Sequence, residues 1–116
     1  MKYTHIYTGS DGLSHFEDVD VPLASVTGGS QASELMKATG ISFRTTGADY
    51  NYSWHNAPRR QFVIRLEGTS EIVASDGTTR RLQPGDILLA EDTTGRGHIS
   101  RAVNNQPGKT VTITLD

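Results

Sequence analysis

Four side chains in this sequence have the chemistry to bind and transform a small molecule: His55, Gln61, Arg65 and His98. An imidazole exchanges protons near neutral pH and can ligate a transition metal. A guanidinium grips a carboxylate with two parallel hydrogen bonds, and a glutamine amide both donates and accepts. Three of the four fall in the stretch WHNAPRRQFVIRLEG, Trp54 to Gly68, and the fourth in LQPGDILLAEDTTGRGHISR, Leu82 to Arg101. There is no cysteine, which excludes thiolate ligands, a thiol nucleophile and disulfides.

Strands must position these groups. Turn signals recur at Ser10-Asp11-Gly12, Gly28-Gly29-Ser30, Ser75-Asp76-Gly77, Pro84-Gly85-Asp86 and Asn104 to Gly108, with runs of strand length between them. That pattern predicts an all-β domain. Side chains alternate between the faces of a strand. Along Gln61 to Glu67, the residues Gln61, Val63, Arg65 and Glu67 share one face, and Phe62, Ile64 and Leu66 share the other. The same count puts Asn51, Ser53 and His55 together, opposite Tyr50, Tyr52 and Trp54. Asp76-Gly77 between two runs predicts a hairpin with a type I′ turn. Ile87 to Ala90 is apolar on both faces, which predicts a strand covered on both sides. Ser33 to Lys37 contains good helix formers, but an extended segment from about Glu34 to Thr46 is expected in an all-β chain.

Length and charge narrow the class. At 116 residues the chain suits one domain. A net charge of -2 lacks the basic footprint of a nucleic-acid binder. No apolar run approaches a membrane span, and the N-terminus lacks a secretory signal, so a soluble, cytoplasmic protein is expected.

The two stretches resemble the motifs of the cupin superfamily. The first cupin motif runs from Gly through His-x-His to Glu and a closing Gly. The second begins at a Pro-Gly-Asp turn and ends in Gly-x-x-His. Here Gly47 precedes His55, Gly68 takes the closing position, Pro84-Gly85-Asp86 forms the turn, and Gly95 to His98 supplies the last histidine. Two departures stand out: Ala57 occupies the second histidine position and Gln61 the position of the family's Glu.

The resemblance implies a double-stranded β-helix, a jelly-roll barrel of two antiparallel sheets. Residues 1–116 would form one cupin domain, with the barrel core at about 47–102 and N-terminal strands in 1–46. It places the polar face of the Gln61 strand inside the barrel, where His55, Gln61, Arg65 and His98 converge with Ser53 nearby. The expected function is binding of a small oxygenated or anionic molecule. His55 and His98 would serve as acid and base of an isomerase, lyase or cyclase, and Gln61, Arg65 and Ser53 as ligand contacts. No tightly bound cofactor is expected, because two imidazoles and an amide oxygen leave a divalent ion uncompensated. One alternative is a divalent transition metal on His55, Gln61 and His98, as in an oxygenase-like cupin, with Glu91 or Asp92 as a substitute carboxylate. Another is a non-catalytic binding or sensing module. A third is an open sheet whose polar face meets only solvent. The resemblance also implies a homodimer, with His5 and His15 at the surface or interface and Arg59 and Arg60 beside the pocket entrance.

Overall fold

Short alternating runs, closed off by Gly, Asp and Pro, produce an all-β chain of twelve strands. The computed structural model describes residues Met1 to Asp116. The N-terminal strands are β1 (Lys2–Thr8), β2 (Ser14–Asp20), β3 (Ala24–Val26), β4 (Ser30–Ala32) and β5 (Gly40–Thr46). The two motif stretches and the hairpin between them supply β6 (Asn51–His55), β7 (Gln61–Glu67), β8 (Ser70–Ala74), β9 (Thr79–Leu82), β10 (Ile87–Glu91) and β11 (His98–Ala102). The last strand is β12 (Gly108–Thr114). No helix is long and apolar enough to cross a membrane.

A six-stranded sheet has the order β2-β1-β10-β7-β12-β5, and a four-stranded sheet has the order β6-β11-β8-β9. β3 and β4 form a separate hairpin. The two larger sheets enclose a cavity lined from both, and no ladder joins their edges. The core forms one wall of that cavity: Ile72, Leu82, Leu88 and Ala90 pack together with Ala57 and the fully buried Ile6. β10 is buried along most of its length between β1 and β7, as its two apolar faces require.

Three expectations need correction. The six-stranded sheet is mixed, because β1 runs parallel to β10 with Ile6 opposite Ala90. A hairpin forces antiparallel pairing, whereas strands separated by most of the chain are free to align either way. The β8–β9 hairpin forms, but not on a type I′ turn. Gly77 has a positive φ while Asp76 does not, and the backbone closes from Ala74 to Thr78 around three loop residues. Between Glu34 and Thr46 the strand begins only at Gly40, and residues 33–39 form neither helix nor strand.

β7 and its neighbours carry their polarity inside out. Gln61, Val63 and Arg65 line the cavity, and Phe62 and Ile64 face outward with Ile87 and Ile113 against the β3–β4 hairpin. The polar face of β7 therefore turns toward the space between the two sheets.

Gly97 fixes the approach of β11 to β6. Its φ is +73°, and an added Cβ would overlap the His55 carbonyl oxygen. Gly77 has a similar φ but open space around it. Gly97→Ala is expected to cost ~3 kcal/mol or more, as left-handed strain of ~1–2 kcal/mol adds to overpacking of ~1–3 kcal/mol. Gly77→Ala is expected to cost only the strain. Urea melts of both variants check this, and equal losses would contradict the packing account.

Candidate functional site

The cavity has a volume of about 430 Å³. One wall comes from β5, β12 and β7. Strand register sets Arg44, Thr110 and Arg65 side by side in one row across these three strands. The opposite wall comes from the four-stranded sheet and carries Tyr52, His55, His98 and Ser100.

His55 reaches the cavity through an irregularity. His98 pairs with His55, but Ser100 pairs with Tyr52, so β6 has one more residue than β11 between these points. This β-bulge breaks the alternation of β6. It brings Tyr52 and His55 to the same side, where their rings stack with centroids 3.7 Å apart. Ser53 and Trp54 are exposed and do not line the cavity. The expected Ser53 side-chain contact is therefore corrected. What Ser53 contributes is its carbonyl oxygen, 2.7 Å from His55 Nδ1. A carbonyl can only accept, so in neutral His55 Nδ1 carries the hydrogen and Nε2 is the free nitrogen.

His98 is held by a carboxylate. Its Nδ1 is hydrogen-bonded to Asp92 Oδ2, and Asp92 is wholly buried. The two imidazoles lie with ring centroids 4.4 Å apart, each anchored at Nδ1 and each with Nε2 uncommitted. Burial pushes His55 below the ordinary histidine value, and His98 and Arg44 push it the same way against the Ser53 hydrogen bond.

Gln61 and Arg65 both line the cavity. Arg65 is only 8% exposed. Its guanidinium lies over Gly108, where a Cβ would come within 2.7 Å, and donates from one terminal nitrogen to the Glu67 carbonyl at 3.2 Å. Its Nε has no partner, and it makes no ion pair with a carboxylate. Burial pushes this guanidinium below its ordinary value. Arg44 adds a second cation, and no Asp or Glu side chain lines the cavity.

Arg44 and the anchoring role of Asp92 were not foreseen. The first was hidden by the ambiguity of the Glu34–Thr46 segment; the inward parity of Ser42 and Arg44 would have revealed it. Of the candidate carboxylates, Glu91 pairs with Arg60 and His5 instead. His5 also meets Glu17, and His15 sits between Asp11 and Asp76. Neither histidine lines the cavity, and neither does Arg59 or Arg60.

No protein-family model matches this sequence, and no curated protein matches it. Solved structures do match. A cupin superfamily protein from Desulfitobacterium hafniense is similar with a TM-score of 0.54 and 20% identity, over 72% of each chain. A cupin-2 domain protein from Shewanella frigidimarina matches with a TM-score of 0.50 and 22% identity, over 66% of this chain and 71% of that one. The cupin domain of Schizosaccharomyces pombe Cnp3 matches with a TM-score of 0.54 and 13% identity, over 89% of this chain and 73% of that one. The structure thus resembles cupin-superfamily domains. At these identities the likeness concerns the fold and leaves the chemistry to the cavity.

The fold raises the question of a metal, and the donor set can be weighed for one. The anchored Nδ1 atoms do suit ligating histidines. But no group of three His, Cys, Asp or Glu side chains is placed to hold an ion. Ala57 is buried where another imidazole would stand, Asp92 is taken up by His98, and two guanidiniums face the same space. This set falls short of the three strong protein ligands of a catalytic zinc site.

Two histidines should titrate in opposite directions. His55 is shifted down, so the unfolded chain takes up its proton first and stability falls as pH drops through and below the ordinary value near 6.5. His15 is shifted up, chiefly by its hydrogen bond to Asp11. Its contribution is full below that value and is lost as pH rises through the raised one. Proton NMR of the two Hε1 resonances should give midpoints on either side of 6.5. Coincident midpoints would contradict the assigned surroundings.

Proposed function

We propose that this chain binds a small anionic, oxygenated molecule between its sheets and moves a proton on it, without a tightly bound metal. In this reading the two sheets act as halves of a jelly-roll barrel, a double-stranded β-helix. The observation that carries it is Arg65: a residue only 8% exposed, with no carboxylate beside its guanidinium. Burying a charge is costly unless it is paired. An anion entering this cavity would supply the missing charge and accept from the guanidinium's terminal nitrogens.

The imidazole pair supports proton transfer. His98 Nε2 removes a proton from the carbon beside a carbonyl: the C–H bond breaks, an N–H bond forms, and the electron pair moves onto the carbonyl oxygen as an enolate. Asp92 balances the imidazolium, in the manner of the carboxylate of a Ser-His-Asp triad. Gln61 offers its amide N–H to the enolate oxygen. Neutral His55 takes at Nε2 the proton of the hydroxyl on the deprotonated carbon and passes it to the enolate oxygen. His98 returns its proton to the former carbonyl carbon, the carbonyl re-forms on the neighbouring carbon, and the isomerisation needs no oxidant.

Arg65→Gln is expected to weaken small carboxylates by about 10–100-fold, from loss of charged hydrogen bonds worth ~1.5–3 kcal/mol. Calorimetry measures this, with a thermal melt to show that the variant is folded. Exchange of carbon-bound hydrogen in deuterium oxide, followed by NMR over a panel of hydroxy- and oxo-acids, reads the chemistry. His98→Ala should slow it by about 10²–10⁴-fold. Tight binding with no exchange of any acid would make the chain a binding module instead of an enzyme.

The outer face supports a second copy as partner. Ile41 and Phe43 of β5 and Leu66 of β7 point away from the cavity, and Phe43 is 77% exposed. They extend the apolar surface formed by Phe62, Ile64, Ile87 and Ile113. Apolar faces of this kind mark protein contacts, and a homodimer is the partner implied by the resemblance to cupins. Sedimentation of the wild type should give a dimer, and of Phe43→Glu a monomer. A monomeric wild type at high micromolar concentration would remove this part of the reading.

A further inference from the structure

The cavity has two chemically different ends. In register order, the wall built from β5, β12 and β7 has three rows: Arg44–Thr110–Arg65, then Ser42–Thr112–Val63, then Gly40–Thr114–Gln61. From Arg65 to Gln61 is four residues of strand, about 13 Å at ~3.3 Å per residue. The histidines belong to the Gln61 end. Gln61 pairs with Ala90, and Ala57, close after His55, bonds to the carbonyl of Asp92. Arg65 belongs to the other end, beside Tyr50, whereas the Arg44 side chain reaches far enough along the cavity to act on His55. Between the two ends Ser42 and Thr112 face the cavity from one wall, and Ser100 and Tyr52 from the other. None of these four hydroxyls bonds to another group of the chain, whereas Thr114 bonds to Thr39.

We infer that the cavity takes an elongated, hydroxylated carbon chain with a terminal oxyanion, not a compact acid. This rests on the reading of the cavity as an anion-binding, proton-moving site, and adds the length and class of the ligand. The oxyanion sits between Arg44 and Arg65 against Thr110, where the two guanidiniums meet it. The ligand's hydroxyls run along Ser42, Thr112 and Ser100. Its carbonyl end reaches the imidazoles. A two- or three-carbon acid held at Arg65 would leave His98 out of reach. Open-chain sugar acids and sugar phosphates of five or six carbons have the required chemistry. Carboxylate and phosphate share the oxyanion, and the pair of guanidiniums suits a doubly charged group best.

Calorimetric titration of the full chain tests this with gluconate, glucitol 6-phosphate, glycolate, inorganic phosphate and hexanoate. Gluconate should bind at least tenfold tighter than glycolate or hexanoate, and glucitol 6-phosphate at least tenfold tighter than inorganic phosphate. Arg44→Gln should weaken the phosphate ester more than the aldonate, and the matched pair tells which oxyanion the site prefers. Thr112→Val, close to isosteric, should shrink the preference for gluconate over hexanoate at least threefold. Short acids binding as tightly as long ones, or hexanoate matching gluconate, would overturn the inference. If glycolate still binds in an Arg65-dependent way, the anion reading survives that result. If no anion binds the wild type, both fall.

Discussion

A cation enclosed between two sheets, with no counter-ion of its own, is the constraint around which this protein is arranged. Arg65 stands on a central strand of the six-stranded sheet, between β10 and β12, and points inward. A guanidinium stays charged under all ordinary conditions, so its surroundings must tolerate that charge. They do so with hydroxyls on β12, a carbonyl at Glu67 and the space left by Gly108. No carboxylate stands beside the buried guanidinium. The inside-out polarity of β7 follows from the same choice. Once the polar face turns inward, Phe62, Ile64 and Leu66 must face outward, and the outer surface becomes the sticky one.

The second arrangement is local. A single extra residue in β6 turns His55 to the same side as Tyr52, and Gly97 lets β11 come close enough for His98 to sit beside it. Asp92 holds His98 from behind, and the Ser53 carbonyl holds His55. Both imidazoles are thereby fixed in ring orientation with one nitrogen free. Anchored nitrogens on opposite supports give the pair unequal electrostatics, since only His98 has a carboxylate at its back.

Much of this was legible in the residues. Period-two alternation assigned Gln61 and Arg65 to one face, and that face does line the cavity. The Pro-Gly-Asp turn and the spaced histidine pointed to the fold that the solved structures share. Alternation failed in β6, because a bulge is a property of pairing between strands and leaves no mark on one strand alone. That is why Ser53 was expected in the cavity when only its backbone takes part. The parallel partnership of β1 and β10 was equally invisible, since nothing local records which distant strand will be a neighbour. Arg44 was missed for a different reason: an extended segment was expected from Glu34 to Thr46, but neither motif lies in it and its faces were not assigned. Asp92 was visible as a carboxylate near His98, but whether it would serve a metal or an imidazole depends on a distance that sequence does not contain.

The claim on which the rest stands is that Arg65 awaits an anion, and its side-chain Nε–H reports on it directly. In a ¹⁵N-resolved NMR titration with gluconate, assigned by the loss of one signal in Arg65→Lys, that resonance should shift and saturate at low ligand concentration. The arginines paired at the surface, such as Arg60 and Arg101, should stay in place. An Arg65 signal that moves only linearly with added salt, in step with the surface arginines, would contradict the account.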